Sequence, residues 1–197
     1  MTAPVDFILA SGSPRRRELL EQIGACFTVA PVDIAEHPLN SESPRDYVTR
    51  LALEKAQAGY VRQKEPRVPV LGSDTAVVLG DRIYGKPANE AEAVEILMSL
   101  SGCSHTVMSG VAVVDGAHHS ICLVETEVHF RELTEQQCRQ YWATGEPADK
   151  AGGYGIQGLA AVFVDRISGS YSNVVGLPLA ETADLLRKFG IEVWKGV

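Results

Sequence analysis

The sequence predicts an α/β protein: a mixed central sheet flanked by helices. Three observations point to it. Apolar runs of strand length alternate along the chain with segments whose apolar residues recur at helical spacing. Several helical segments open on Ser, Asn or Thr followed by Pro or an acidic or amide-bearing first turn, the pattern that satisfies the first free N–H groups. Gly, Asp and Pro cluster between the runs, and no repeat or long linker interrupts them.

Residues 5–10 read as a short buried strand that stops at Ser11-Gly12-Ser13-Pro14. Ser13 suits an N-cap and Pro14 the first helical position. Leu19, Leu20 and Ile23 continue that helix, and Gly24 ends it. Residues 27–32 read as a second strand. The next helix opens at Ser43-Pro44-Arg45-Asp46, close to a capping box with Asp in place of Glu. Its apolar face holds Val48, Leu51, Ala52 and Ala56, and Lys55 shares that face. Residues 68–71 read as a strand ending at Gly72-Ser73-Asp74-Thr75. Residues 76–79 and 82–84 flank Gly80-Asp81 as a hairpin. Asn89-Glu90-Ala91-Glu92 opens a helix that closes near Gly102. Two long strands, 105–114 and 119–130, meet at Asp115-Gly116. Thr134 opens a helix running to about Thr144, residues 145–158 are irregular, and residues 160–167 read as a strand. The last helix starts near Pro178 and ends at Gly190, leaving a seven-residue tail.

Composition bounds the function. A chain of 197 residues suffices for one large domain or two small ones. Its net charge of −7 argues against a sequence-blind nucleic-acid binder, which needs excess Lys and Arg to neutralise phosphates, and no nucleic-acid partner is expected. No run approaches 18 apolar residues, so no membrane span is expected. The first residues carry no basic stretch and no long apolar core, so they are not read as a signal peptide. Cys26, Cys103, Cys122 and Cys138 form no C-x-x-C pair, which fits a reducing cytoplasm better than a zinc site or a disulfide scaffold. The five histidines are scattered or, at His118-His119, on opposite strand faces, so any metal is expected on oxygen ligands.

Several residues stand out chemically. Ser11 to Arg17 is a strand, a small-residue turn and a helix start bearing Arg15, Arg16 and Arg17, where positive charge opposes the helix dipole. Either a phosphate resolves that conflict, or the segment is a solvated basic helix start. Asp74 either holds a metal and takes a proton from water, or makes an Asx-turn at a strand end. Glu36 is a second carboxylate or a solvated loop residue, and Lys55 reaches into a site or snorkels at the core edge. Lys86 sits in a rigid loop, as a ligand residue or an ordinary turn lysine. The glycine-dense stretch 149–158 allows a ligand close to the backbone, or is simply mobile. Within it Gln157 offers one donor and one acceptor to a base edge. Carboxylates with dispersed cations, and no evident Ser–His or Cys–His pair, suit metal-assisted attack of water on a phosphate anhydride rather than acyl transfer.

Seven motifs together resemble the Maf family. They are Leu9-Ala10-Ser11-Gly12-Ser13-Pro14-Arg15-Arg16, Glu54-Lys55-Ala56, Gly72-Ser73-Asp74-Thr75, Gly85-Lys86-Pro87, Leu100-Ser101-Gly102, the segment Asp149 to Gly158, and the segment Ser170 to Pro178. The likeness runs in order over residues 8–189. It implies a nucleoside triphosphate pyrophosphatase that uses a divalent cation, Mg²⁺ or Mn²⁺, and releases pyrophosphate and a nucleoside monophosphate. Ser-Gly-Ser-Pro-Arg-Arg, the Asp-Thr pair and Gly-Ile-Gln-Gly are similar to the branch acting on dTTP and UTP. The resemblance implies Asp74 as proton acceptor. It implies Arg16, Thr75 and Gln157 as substrate-selecting residues, with Ser11, Arg15, Glu36, Lys55 and Lys86 also lining the site. Asp74 and Glu36 are the expected metal ligands; Lys55 and Lys86 are expected to assist the chemistry. The family further implies one catalytic domain over residues 1–197, an inosine-triphosphatase-like and elongated shape with a cleft between two lobes, a homodimer, and work on free nucleotides in the cytoplasm. A nucleotide-binding role in cell division, at septum formation, is the alternative it leaves. The acidic net charge does not exclude an anionic substrate, because a small cationic pocket fits inside an acidic protein.

Overall fold

The computed structural model describes residues 5–194. The expectation that the first residues are not a signal peptide falls in part on residues 1–4, and the end of the expected tail on 195–197; both stretches lie outside the described residues. The elements run β1 (Phe7–Leu9), α1 (Pro14–Gln22), β2 (Phe27–Val29), α2 (Pro44–Val61), β3 (Val70–Leu79), β4 (Arg82–Tyr84), α3 (Glu90–Leu100), β5 (Ser104–Asp115), β6 (His118–Phe130) and α4 (Glu135–Trp142). Three short 3-10 turns follow, Glu146–Asp149, Ala151–Gly153 and Leu159–Phe163, then β7 (Val164–Ser168), α5 (Tyr171–Val175) and α6 (Leu179–Arg187).

The strands form one seven-stranded mixed sheet in the order β2-β1-β3-β5-β6-β7, with β4 paired to β3. β1 runs parallel to β2 and to β3, whereas β4 on β3 and β7 on β6 are antiparallel. The chain divides into two compact units. The first holds the residues up to Asp74, Ser109–Val124 and the residues from Gly176; the second holds Thr75–Met108 and Glu125–Val175.

In the first unit, α2 is the helix that matters most. Its buried positions are Val48, Leu51, Ala52, Lys55, Ala56 and Gly59, a stripe at helical spacing. Three glycines let it lie close on the strands. A Cβ on Gly72 would stand 2.6 Å from Ala56 N, one on Gly110 would stand 2.7 Å from Val48 C, and one on Gly59 would stand 2.9 Å from Val70 Cγ1. The interior beside it is Ala10, Ala52, Ala56, Val70, Ala112 and Val114. Small residues predominate there because backbone, not side chain, fills the space.

In the second unit the core gathers Leu97, Leu100, Val128, Phe130, Tyr141, Tyr154 and Phe163. Phe130 stands edge-on to His105 (centroids 4.9 Å apart) and to Tyr154 (4.8 Å), the favoured aromatic geometry.

The helix starts follow the sequence closely. Ser13, Ser43, Asn89 and Thr134 are all N-caps, each accepting from the N–H three residues on. Thr134 and Gln137 complete a reciprocal capping box. At Asp46 the reciprocal bond does not form: its carboxylate takes the Ser43 hydroxyl at 2.7 Å, because an Asp side chain is one carbon too short for the Ser43 backbone N–H. Glu92 reaches past Asn89 to Ala88 N at 2.8 Å.

Two strand readings need correction. Residues 70–79 are one continuous strand, so Gly72-Ser73-Asp74-Thr75 is neither a strand end nor an Asx-turn. The glycine there serves close packing of α2, not a reversal. Residues 159–163 are a 3-10 turn, and the strand begins only at Val164. The N–H groups of Leu159 and Ala160 are captured by the Glu146 carboxylate and so do not enter a ladder. No helix among the described residues is long and apolar enough to cross a membrane.

Candidate active site

In the first unit, strand alternation and helix packing bring five of the expected residues together. Gly72 and Asp74 are two apart on β3, so both face α2. Gly72 admits the α2 backbone at Ala52 and Ala56, and Lys55 lies between those two positions. The Lys55 ammonium therefore meets Asp74. It donates to Asp74 Oδ1 at 2.7 Å and pairs with Glu36 Oε1, also at 2.7 Å. Lys55 and Asp74 are each only 7% exposed, while the Glu36 side chain is 52% exposed. A lysine this buried needs a partner, and here it has two.

Glu36 belongs to the long connection between β2 and α2, which has no regular element to hold it. Side chains of α2 hold it instead. The Tyr47 hydroxyl donates to the Glu36 carbonyl at 3.2 Å, and Arg50 Nη2 donates to the His37 carbonyl at 3.1 Å. Arg50 also grips the Glu42 carboxylate with two N–H groups, at 2.5 and 2.8 Å, and Glu42 accepts from Leu39 N at 2.9 Å. The Arg50 hydrogen bond holds the Glu42 carboxyl at a pKa of about 2. Burial, and then the charges of Asp74 and Glu36, push the Tyr47 phenol above its usual pKa, so its proton stays available for the carbonyl.

The loop after β1 supplies the cationic side. Ser11 is 7% exposed, and its hydroxyl oxygen accepts from Ser13 N at 3.3 Å and from Arg16 Nη1 at 3.1 Å. Arg16 Nε donates to the Gly176 carbonyl at 2.9 Å, which aims the guanidinium. Burial lowers the pKa of Arg16; Asp74 and Glu36 oppose this, and Arg15 adds to it. Arginine stays charged through such shifts. Arg15 is partly buried, on the first turn of α1 next to Arg16.

The remaining expected residues lie in the second unit. Thr75 follows Asp74 on β3 and is half-buried. Lys86 is exposed, in a loop braced on both sides: Gly152 N donates to the Gly85 carbonyl at 3.0 Å, and Pro87 is buried beside Gly153. Gln157 is exposed at the tip of the glycine-dense segment. Within that segment Tyr154 is 6% exposed and its hydroxyl lies 2.8 Å from His105 Nε2.

Tyr47, Arg50 and Glu42 were not singled out from sequence, and Gly176 only as part of the segment Ser170 to Pro178. Arg50 carried one signal, its i,i+4 spacing to Glu54, which it meets at 3.2 Å. Its contacts with residues 37–42 are tertiary and left no local trace.

No group of three or more His, Cys, Asp or Glu among the described residues is arranged to hold a metal. Asp74 and Glu36 are two oxygen donors about one ammonium. That set fits Mg²⁺ or Mn²⁺, which take one or two carboxylates and complete their shell from phosphate and water. A carboxylate pair beside an anchored arginine and a small-residue loop can bind and hydrolyse a phosphate anhydride.

Comparison with known proteins gives the family. The family model described as "Maf-like protein" matches residues 6–189. A protein of Saccharophagus degradans named "dTTP/UTP pyrophosphatase" is 53% identical over 194 residues, 98% of this chain and 92% of its own. Proteins of the same name from Hahella chejuensis and Vibrio parahaemolyticus are each 50% identical, covering 95% and 96% of this chain and 94% and 100% of theirs. With a family match over nearly its whole length and relatives at half identity, the chain belongs to the Maf-like protein family.

Proposed function

We propose that the protein is a nucleoside triphosphate pyrophosphatase that hydrolyses dTTP and UTP to the monophosphate and pyrophosphate. The observation that carries this is the Lys55 ammonium held between Asp74 and Glu36, with the charge of Arg16, on the first turn of α1 and bonded to Ser11, acting on both carboxylates. The relatives named for this activity support the choice of substrate.

Asp74 is the group that takes the proton from the attacking water. Its carboxylate is buried on a rigid strand, and Lys55 holds one oxygen in place. Water attacks the α-phosphorus, and pyrophosphate leaves with the bond between the α- and β-phosphates. A triphosphate carries roughly four negative charges, so several cations must meet it. Arg15, Arg16, Lys55 and Lys86 share that task, and the Ser11 loop contacts the phosphates. Asp74 and Glu36 would hold a divalent cation, which when bound would supply further charge neutralisation. For Thr75 and Gln157 the support is the sequence motif; the Gln157 amide complements O4 and N3–H of uracil and thymine. The family resemblance also supports a homodimer acting on free nucleotides in the cytoplasm.

The test is Asp74→Asn, with pyrophosphate release from dTTP, UTP, CTP and the purine triphosphates followed for both proteins. The wild type should release pyrophosphate, not orthophosphate, with dTTP and UTP preferred. The variant should lose a factor of about 10² to 10⁴ in kcat, the usual worth of a general base, with its circular dichroism unchanged. Normal turnover by the variant would show that Asp74 is not the base.

A further inference from the structure

We propose that Tyr141 and Glu146 are positioning residues that set base selectivity by tying down both ends of the turn that presents Gln157. This rests on the reading of Gln157 as the base-contacting residue.

Residues 155–158 form a reverse turn, closed by Gly158 N donating to the Gly155 carbonyl at 3.0 Å. Ile156 and Gln157 occupy its two central positions. One side of the turn hangs from Tyr141: Gly155 N donates to the Tyr141 hydroxyl oxygen at 3.2 Å. That hydroxyl in turn donates to Glu146 Oε1 at 2.7 Å. The other side hangs from Glu146, whose Oε2 accepts from Leu159 N at 2.9 Å and whose Oε1 accepts from Ala160 N at 3.4 Å. The Glu146 carbonyl is fixed as well, accepting from Lys150 Nζ at 2.8 Å. A single phenol–carboxylate pair therefore brackets the turn on both shoulders.

The bracket is itself anchored. Tyr141 lies on α4, is 4% exposed, and stands edge-on to Phe163 with centroids 5.1 Å apart. The fit is tight: a Cβ on Gly158 would stand 2.5 Å from the Glu146 carboxyl carbon, and one on Gly155 would stand 2.8 Å from Lys150 Cε. Burial pushes the Glu146 carboxyl up, but the Leu159 N–H, the Tyr141 hydroxyl and the Ala160 N–H outweigh it, so its pKa lies below the usual range.

The chemistry needs such a bracket. An amide pairs with O4 and N3–H of uracil or thymine, and after a flip it pairs with N3 and the 4-amino group of cytosine. Discrimination therefore depends on how narrowly the amide is placed. Gln157 is exposed and long, so its placement starts from its backbone. A turn held at both shoulders restricts that backbone; a turn released at one shoulder lets the amide serve either base. Glu146 and Tyr141 touch no reacting atom in this scheme, so they act on base binding rather than on bond cleavage.

The test compares full-length wild type, Tyr141→Phe, Glu146→Gln, Glu146→Ala and Gln157→Ala. For each, kcat and KM for pyrophosphate release are measured with dTTP, UTP and CTP, alongside urea unfolding. Tyr141→Phe removes one oxygen and keeps the ring. It should raise KM for dTTP and UTP about five- to twentyfold, narrow the dTTP-to-CTP ratio toward that of Gln157→Ala, and leave kcat within about twofold. Glu146→Ala should do at least as much, and Glu146→Gln, which keeps one acceptor oxygen, should fall between. If Glu146→Ala fails to fold, Tyr141→Phe alone decides. Wild-type selectivity in Tyr141→Phe, with selectivity lost in Gln157→Ala, would overturn the bracket and leave the Gln157 reading standing. Unchanged selectivity in Gln157→Ala would overturn the Gln157 reading, and the bracket with it.

Discussion

The Lys55 ammonium lies 2.7 Å from the Asp74 carboxylate, in a contact between the buried stripe of α2 and the middle of β3. Glu36 adds a second carboxylate to the same ammonium, from a connection that has no regular structure of its own. One cation thus compensates two acids, one of them buried.

Lys55→Met should cost both activity and stability. Breaking a buried pair typically costs about 3–5 kcal/mol, and Asp74 is the acid left buried without its ammonium, so a loss approaching that range is expected. In the double variant Lys55→Met/Asp74→Asn, no charge is left stranded on β3. Its unfolding midpoint should recover toward wild type while pyrophosphate release stays lost. Urea unfolding and a turnover assay on wild type, Lys55→Met, Asp74→Asn and the double variant would check this, because stability and activity must separate.

Arg50→Lys should weaken the hold on Glu36 without unfolding the protein. Lysine keeps the charge but cannot grip Glu42 with two parallel N–H groups and reach the His37 carbonyl as well. We expect stability within about 1 kcal/mol of wild type. The divalent cation needed for half-maximal activity should rise several-fold, read by titrating Mg²⁺ or Mn²⁺ at saturating nucleotide. Because Glu42 titrates only near pH 2, this difference should persist across the whole range from pH 5 to 8.

His105 should make the protein acid-sensitive. Burial, and then the neighbouring His129, pull its pKa from 6.5 down to about 4. The unfolded chain then binds a proton between those values that the folded chain refuses. Stability from this residue is full above about pH 6.5, falls as pH drops toward 4, and levels off below it. The loss amounts to about 3 kcal/mol at most. Urea midpoints measured from pH 7.5 to 4 should show this slope, and His105→Gln, which does not titrate, should flatten it.

Features set by a few neighbouring residues were legible in the sequence. Ser13, Ser43, Asn89 and Thr134 could be read as caps because each cap bond spans only three residues. Gly24, in the left-handed conformation at φ 63°, ended α1 where expected. Gly72 misled for a physical reason: glycine beside Ser and Asp usually marks a turn, and here it marks the close passage of α2. Leu159 and Ala160 carry β-compatible neighbours, yet a carboxylate thirteen and fourteen residues away takes their N–H groups.

By itself, the sequence determined the α/β class, the helix starts and the residue types of the candidate site, since these follow from periodicity, capping chemistry and motif. Tertiary structure alone decided which alternative each residue takes. Spacing put Lys55 on the buried face of its helix, but only the approach of α2 over Gly72 gave it Asp74 as a partner. Glu36 lies nineteen residues before Lys55 in a connection without regular structure, and its place depends on Tyr47 and Arg50 reaching back from the next helix. Hydrogen bonds of that kind join distant segments through space, where neither propensity nor periodicity leaves a mark.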